Sequence, residues 1–231
     1  LGIMEDISMR GKLPIVCGGT GLYINALTSK LDFTAVKGDP ALRKSLQDYA
    51  DAHGAQALHE KLRQTDPVSA DRLHPNDTKR VIRALEVFEL TGKPFSQQGK
   101  GFTQPEDERY PFAIIGLRWP RELLDARIYQ RVDAMMERGL YQEAQAVFAK
   151  GISLNHPSMM AIGYAQQFKC MQGECCLEDA IADIKRESRR YAKRQMTWFN
   201  RDLRIHWLEA NEYADLPALT NAALALVSAN L

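Results

Sequence analysis

Paired cysteines are the first thing missing from this sequence. Cys17, Cys170, Cys175 and Cys176 form no C-x-x-C pair, and adjacent Cys175 and Cys176 would make an awkward zinc site, so all four read as reduced thiols. The five histidines, His53, His59, His74, His156 and His206, show no metal-like spacing such as H-E-x-x-H. Any metal is therefore expected to arrive with a substrate. No apolar run approaches the roughly 18 residues needed to cross a bilayer, and the start of the chain has no basic stretch leading into an apolar one. These absences point to a cytoplasmic protein with no membrane partner. Net charge is scarce as well, at +1 over 231 residues.

With 45% apolar and 26% charged residues, the sequence is that of a folded protein, large enough for one domain or one domain with an insertion. It begins at Leu1 rather than methionine, and a strand pattern starts only twelve residues later, so the chain reads as though it opens in the middle of a domain.

The small net charge hides a strong local imbalance. From Lys185 to Arg201, KRESRRYAKRQMTWFNR carries seven cations and one anion in seventeen positions, a local charge of +6 that leaves about −5 for the rest. At helical spacing Ile181, Ile184, Ser188, Tyr191 and Trp198 fall on one side, and Arg186, Arg189, Arg190, Lys193 and Arg194 fan over the others. One face can dock on a core while the rest meets a polyanion. Arginine holds phosphate oxygens bidentately, and neighbouring aromatics offer planes for unstacked bases, so RNA or DNA is the leading partner.

Periodicity divides the remainder into strands separated by helices, the pattern of a parallel α/β sheet. Strands are expected at Leu13 to Cys17, Phe112 to Trp119 and Arg204 to Leu208. After the first comes the turn Gly18-Gly19-Thr20-Gly21, leading into a helix from Leu22 to Leu27; backbone amides at such a turn face whatever lies over the sheet edge. Residues 39–92 are helical throughout, as Pro40 to His53, Gly54 to Gln64, Pro67 to Leu73 and Asp77 to Leu90, the last capped by Asn76 or Asp77. Gly92 to Tyr110 is a polar loop rich in Gly, Pro and Gln. Further helices run from Ile3 to Arg10, Pro120 to Arg138, Tyr141 to Lys150, Pro157 to Met171, Leu177 to Arg201 and Leu216 to Asn230.

Four blocks resemble one family, the tRNA dimethylallyltransferases, in that family's order and across nearly the whole chain. They are GKLPIVCGGTGLYINAL (Gly11 to Leu27), HPNDTKRVIRALEVFELTGKP (His74 to Pro94), RELLDARIYQRVDAMMERGLYQEA (Arg121 to Ala144) with MMAIGY (Met159 to Tyr164), and RRYAKRQMTWFNRD (Arg189 to Asp202). The resemblance implies a partial P-loop NTPase-like parallel sheet with flanking helices: a core over 1–38 and 107–231, interrupted by a helical insertion over 39–106. It also implies a monomeric enzyme that uses dimethylallyl diphosphate, with Mg²⁺, to prenylate N6 of adenosine 37 beside the anticodon of tRNA. In that family a G-x-x-x-x-G-K-[ST] phosphate loop and an aspartate base precede the GGTG block. Residues 1–231 contain neither, so this stretch by itself is expected to be inactive.

Residue by residue, the resemblance assigns Arg131 to the diphosphate, Arg80 as a second functional arginine, and Thr20 to the target nucleotide. It implies tRNA contacts at Arg43, at Lys79, Arg80, Val81, Ile82 and Arg83, and at Met160, Ala161, Ile162, Gly163, Tyr164 and Ala165. A last set runs through Lys193, Arg194, Gln195, Met196, Thr197, Trp198, Phe199 and Asn200. Trp198 shares a helical side with Ile184 and Tyr191 and is read as a core residue of its helix. Ala165 departs from the pattern, since relatives usually carry Arg or Lys there. Two other readings are a prenyltransferase acting on free adenine nucleotides, for which the insertion and basic helix would be superfluous, and a non-catalytic tRNA-binding protein.

Overall fold

The computed structural model describes residues 2–28, 37–97, 112–152 and 156–230. Most of the loop expected from Gly92 to Tyr110, with the boundary expected near 106, lies outside them. They divide into two compact units, Leu1–Val16 with Leu22–Tyr110, and Cys17–Gly21 with Pro111–Leu231.

In the first unit α1 (Gly2–Met9) and α2 (Gly21–Thr28) flank the residues expected to form the first strand. That strand is absent. Residues 13–17 form no ladder with any described residue, and Leu13, Ile15 and Val16 are exposed. A strand exists only through a neighbour's hydrogen bonds, and Pro14 has no N–H to give one.

The helical segment follows the sequence closely. It comprises α3 (Pro40–His53), α4 (Ala55–Thr65), α5 (Pro67–Arg72) and α6 (Thr78–Thr91). Their starts are chemically marked. The Asp39 carboxylate accepts from the amides of Ala41 and Leu42 at 2.8 and 3.1 Å ahead of Pro40. Asp66 likewise accepts from Ser69 N at 3.0 Å and from Ser69 Oγ at 2.6 Å. Asp77 holds the N-cap position of α6 without a side-chain cap bond, and Gly92 ends that helix in the left-handed region at φ 67°. Between these helices Leu58, Leu62, Val81, Ala84 and Leu85 form a core joined by Leu46, Tyr49 and Leu73. Burying five such side chains is the main force holding the four helices together.

The second unit contains β1 (Ile114–Arg118) and β2 (Ile205–Glu209), paired in parallel from Ile114 opposite Ile205 to Arg118 opposite Glu209. Parallel strands need a long crossover. Here it is α7 (Arg121–Glu137), α8 (Leu140–Phe148), α9 (Tyr164–Met171) and α10 (Leu177–Phe199), and α11 (Leu216–Asn230) follows β2. The single helix expected from Pro157 to Met171 is two. A 3-10 turn over Pro157–Met160 is separated from α9 by Gly163 at φ 108°, a torsion no helix contains. Val132, Leu140 and Ile184 form one small core, and Ala144, Met159 and Phe168 form another. The chain is thus mixed α/β, as expected, with two of the three expected strands. Among the described residues no helix is long and apolar enough to cross a membrane.

Candidate nucleic-acid interface

In the helical unit, the expected RNA-contacting residues of α6 separate by burial. Val81 and Ile82 are buried among the α3–α6 side chains, so their contribution to any interface is to fix the helix beneath it. Lys79 and Arg80 are exposed on the first turn, and Arg80 Nη1 stands 3.4 Å from Asp77, a loose and largely solvated pair. Arg83 and Arg43 belong to a different arrangement. Both reach the fully buried carboxylate of Glu86: Arg83 donates at 2.5 Å, Arg43 donates through Nε at 2.8 Å and Nη2 at 3.0 Å, and the Asp39 amide donates at 2.7 Å. Burial pushes the Glu86 carboxyl up, but the bonds from Arg43, Arg83 and the Asp39 amide outweigh it and hold the group below its ordinary range. The arrangement explains both arginines without RNA.

In the α/β unit, α10 carries the cation run, and most of its charge is already matched. Lys185 lies 2.6 Å from Asp133 and Arg189 2.8 Å from Asp125, both acids on α7; Arg186 pairs with Asp183, and Arg190 with Glu187 at 2.6 Å. Arg189 also donates to the Tyr129 hydroxyl at 2.8 Å. The fan of phosphate-ready arginines expected on this helix is therefore narrower. Among the described residues Lys193 and Arg194 have no carboxylate partner; both are exposed, and Arg194 lies over the Tyr191 ring at 5.6 Å. They are the residues of the run best placed to hold phosphate.

The same turn of α10 faces the glycine turn as well. Gln195 Nε2 donates to the Gly19 carbonyl at 2.9 Å, and the indole of Trp198 lies against Gly21. Met196 and Phe199 are half-buried, Thr197 donates to the Lys193 carbonyl at 2.9 Å, and Asn200 Oδ1 accepts from Arg118 at 3.1 Å. Thr20 is exposed between the two glycines that α10 touches. The helix thus joins the exposed cations to the hydroxyl-bearing turn within two helical turns.

Arg131 is exposed on α7, and among the described residues no carboxylate pairs with it. On the Met160–Ala165 segment Met160 and Ala161 are exposed, Ile162 packs against Val132 and Leu140, and Gly163 is buried. The Tyr164 hydroxyl donates a short hydrogen bond to Glu143, which, with some desolvation, raises the phenol above its ordinary range. Ala165 is half-buried and offers no cation.

The sequence matches the profile of the IPP transferases over residues 1–202. The chain belongs to the IPP transferase family. It is 42% identical to the tRNA dimethylallyltransferase of Finegoldia magna over 96% of its own length and 70% of that protein. The tRNA dimethylallyltransferase of Geobacillus kaustophilus is 43% identical, over 94% of this chain and 68% of that protein. Among solved structures, the tRNA isopentenylpyrophosphate transferase of Bacillus halodurans shares 36% identity and aligns over 99% of this chain and 71% of that one, with a TM-score of 0.64. A eukaryotic dimethylallyltransferase acting on tRNA aligns with all of this chain and 60% of that one, at 29% identity and a TM-score of 0.75.

For this IPP transferase, three features of the interface escaped the sequence reading. The i, i+3 spacings of Asp183 to Arg186 and Glu187 to Arg190 were there to be read as intrahelical pairs. The pairing of Asp125 and Asp133 with α10, and of Gln195 with Gly19, is tertiary and leaves no local signal.

Proposed function

We infer that this chain belongs to a tRNA dimethylallyltransferase, an enzyme that, as the intact protein, moves the dimethylallyl group of dimethylallyl diphosphate onto N6 of adenosine 37 beside the anticodon. The observation that supports the RNA half of this reading is the selective exposure on α10. Four of its cations are held by carboxylates, while Lys193 and Arg194, two turns or less from the Thr20-bearing turn, have no such partner among the described residues. The identity to curated enzymes of this activity over most of the chain supports the chemistry.

In the reaction the N6 lone pair forms a bond to the first carbon of the allylic group, the carbon–oxygen bond breaks, and diphosphate leaves with its electrons. N6 then gives up one proton to a base. Charge grows on the departing diphosphate, so a fixed cation there lowers the barrier more than it strengthens ground-state binding. Arg131, exposed and without a carboxylate partner, is assigned that place. Thr20 is assigned to the target nucleotide, its hydroxyl able to accept from the N6 amine. Adenosine 37 must leave its stack at a cost of about a few kcal/mol, and contacts of the anticodon arm with Lys193 and Arg194 offset that cost.

Mg²⁺ belongs to this reading as a companion of the diphosphate. Among the described residues no three His, Cys, Asp or Glu side chains converge to hold an ion.

The test is a tritiated dimethylallyl diphosphate assay with anticodon stem-loop RNA, run on the full gene product and on residues 1–231 alone. Transfer to the RNA by the gene product, with RNA binding but no transfer by 1–231, is the expected result. Transfer to adenine nucleotide in place of RNA would overturn the tRNA assignment. Turnover by 1–231 would overturn the requirement for a phosphate loop and a base outside it.

A further inference from the structure

The turn that carries Thr20 is shaped by α10. Gln195 donates to the Gly19 carbonyl at 2.9 Å. A methyl group placed on Gly19 would lie 2.0 Å from Gln195 Nε2, and one on Gly21 would lie 2.1 Å from Trp198 Cδ1 and 2.2 Å from its Nε1. Neither glycine has a positive φ. Space, not backbone torsion, is therefore what a side chain would run into at both positions, against the movable end of Gln195 at Gly19 and against the rigid indole at Gly21. Gln195 and Trp198 are three residues apart and share one side of the helix, while Lys193 projects from nearly the opposite side and is exposed.

We infer that Gln195 and Trp198 are positioning residues for Thr20: one rigid helix captures RNA phosphate through Lys193 and Arg194 and, through Gln195 and Trp198, sets the turn that meets the target nucleotide. The inference rests on the assignment of Thr20 to that nucleotide. The Gln195 amide leaves the Gly19 carbonyl one defined partner and so restricts the peptide joining Gly19 to Thr20. The indole closes the space beside Gly21 that the turn would otherwise relax into. A displacement of about 1 Å at a reacting centre costs on the order of a hundredfold in rate, whereas RNA affinity, spread over many phosphates, barely registers it. The two residues therefore act on turnover and not on binding, although both lie inside a stretch that the family resemblance assigns to tRNA contact.

Gln195 and Gly19 supply an internal control. A methyl on Gly19 meets the far end of a flexible side chain, so in Gly19→Ala the Gln195 amide swings away and its bond is lost, as it is in Gln195→Ala. The two substitutions remove the same interaction, so their combination should be no worse than either alone. In the full gene product, with stem-loop RNA, Gln195→Ala and Gly19→Ala should each lower kcat about tenfold or more. KM for RNA and affinity by fluorescence anisotropy should stay within about twofold, with melting temperatures close to the parent's. Gln195→Glu, which keeps the length but cannot donate when ionised, should resemble Gln195→Ala. Gly21→Ala meets a rigid ring and should lower the melting temperature as well, and for that reason the Gln195 and Gly19 pair decides the matter.

Parental kcat in Gln195→Ala, multiplicative losses in the double variant, or weakened RNA affinity at unchanged kcat would each overturn the inference. Thr20→Val separates it from the reading beneath it. If Thr20→Val is impaired and Gln195→Ala is not, the positioning role fails and the Thr20 assignment stands; if Thr20→Val is fully active, the assignment itself fails.

Discussion

Arg43 donates to the buried carboxylate of Glu86 from a different helix, Nε to Oε1 at 2.8 Å, and that carboxylate also takes bonds from Arg83 and the Asp39 amide. The exposed ends of two arginines are thus tied to a group with no solvent exposure, and the start of α3 is tied to the middle of α6. Glu86→Gln keeps the shape and removes the charge, and is expected to destabilise by about 2 kcal/mol, the value of charge-assisted bonds over neutral ones. The pH dependence gives the sign. The carboxyl is held below its ordinary 4.5, so its stabilisation is complete above that value and is lost as pH falls through the lower folded-state value. Urea melts of parent and Glu86→Gln should differ at pH 7, and the difference should shrink progressively as pH falls below about 4.5. A gap of constant size at every pH at which both proteins fold would show that packing, and not charge, holds Glu86.

Gly163, at φ 108° and ψ −65°, occupies backbone space that an L side chain rarely enters. A methyl there would make only ordinary contacts with Leu140 at 3.6 and 3.8 Å, so torsion and not crowding is the obstacle. Gly163→Ala should cost about 1–3 kcal/mol in thermal melts, and removing bulk at Leu140 should not recover it. Recovery by Leu140→Ala would mean that crowding had been underestimated.

How much was legible before the structure depended on how local the cause was. Helices α3 to α6 were readable nearly to the residue, because Asp39, Asp66, Pro40, Pro67 and Gly92 mark their ends within the helices' own sequence. The strand at Leu13 to Cys17 was not. Its apolar run is a propensity that becomes a strand only with a ladder partner, and no described residue supplies one. The interface divided in the same way. Lys193 and Arg194 were visible as charge, but the neutralisation of Arg189 by Asp125 and of Lys185 by Asp133 joins residues about sixty and fifty positions apart. Thr20 drew notice only through the family resemblance, and the bond from Gln195 to the carbonyl of the neighbouring Gly19, 176 residues away, had no sequence signature.

Arg131 is exposed on α7 with no carboxylate partner among the described residues, which makes it free to meet diphosphate in the full gene product. Arg131→Ala should lower kcat, or raise KM for dimethylallyl diphosphate, by about tenfold to a hundredfold while RNA affinity stays level. Arg131→Lys should recover only part of the loss, since a point charge lacks the bidentate fork. Steady-state kinetics with each substrate varied in turn will separate the terms. Parental kinetics with weakened RNA binding would move Arg131 from the diphosphate to the tRNA.

The pairing pattern on α10 makes the salt dependence of RNA binding differ from cation to cation. A cation that neutralises a phosphate releases condensed counterions, so removing it flattens the plot of log affinity against log salt by about 0.7–0.9. Lys193→Ala and Arg194→Ala should each show that change in anisotropy titrations of anticodon stem-loop RNA at several salt concentrations. Arg186→Ala and Arg190→Ala should show distinctly less, because Asp183 and Glu187 already compete for those guanidinium groups. Trp198→Ala should leave the slope untouched and lower the melting temperature, as expected of an indole packed on Gly21 and not stacked on a base. Equal slope changes for all four cations would mean that RNA displaces the intrahelical carboxylates, making the whole of α10 the binding surface. Unchanged slopes for Lys193→Ala and Arg194→Ala would leave the helix a solvated face and place the RNA grip elsewhere, with Lys79 and Arg80 on α6 the next cations to substitute.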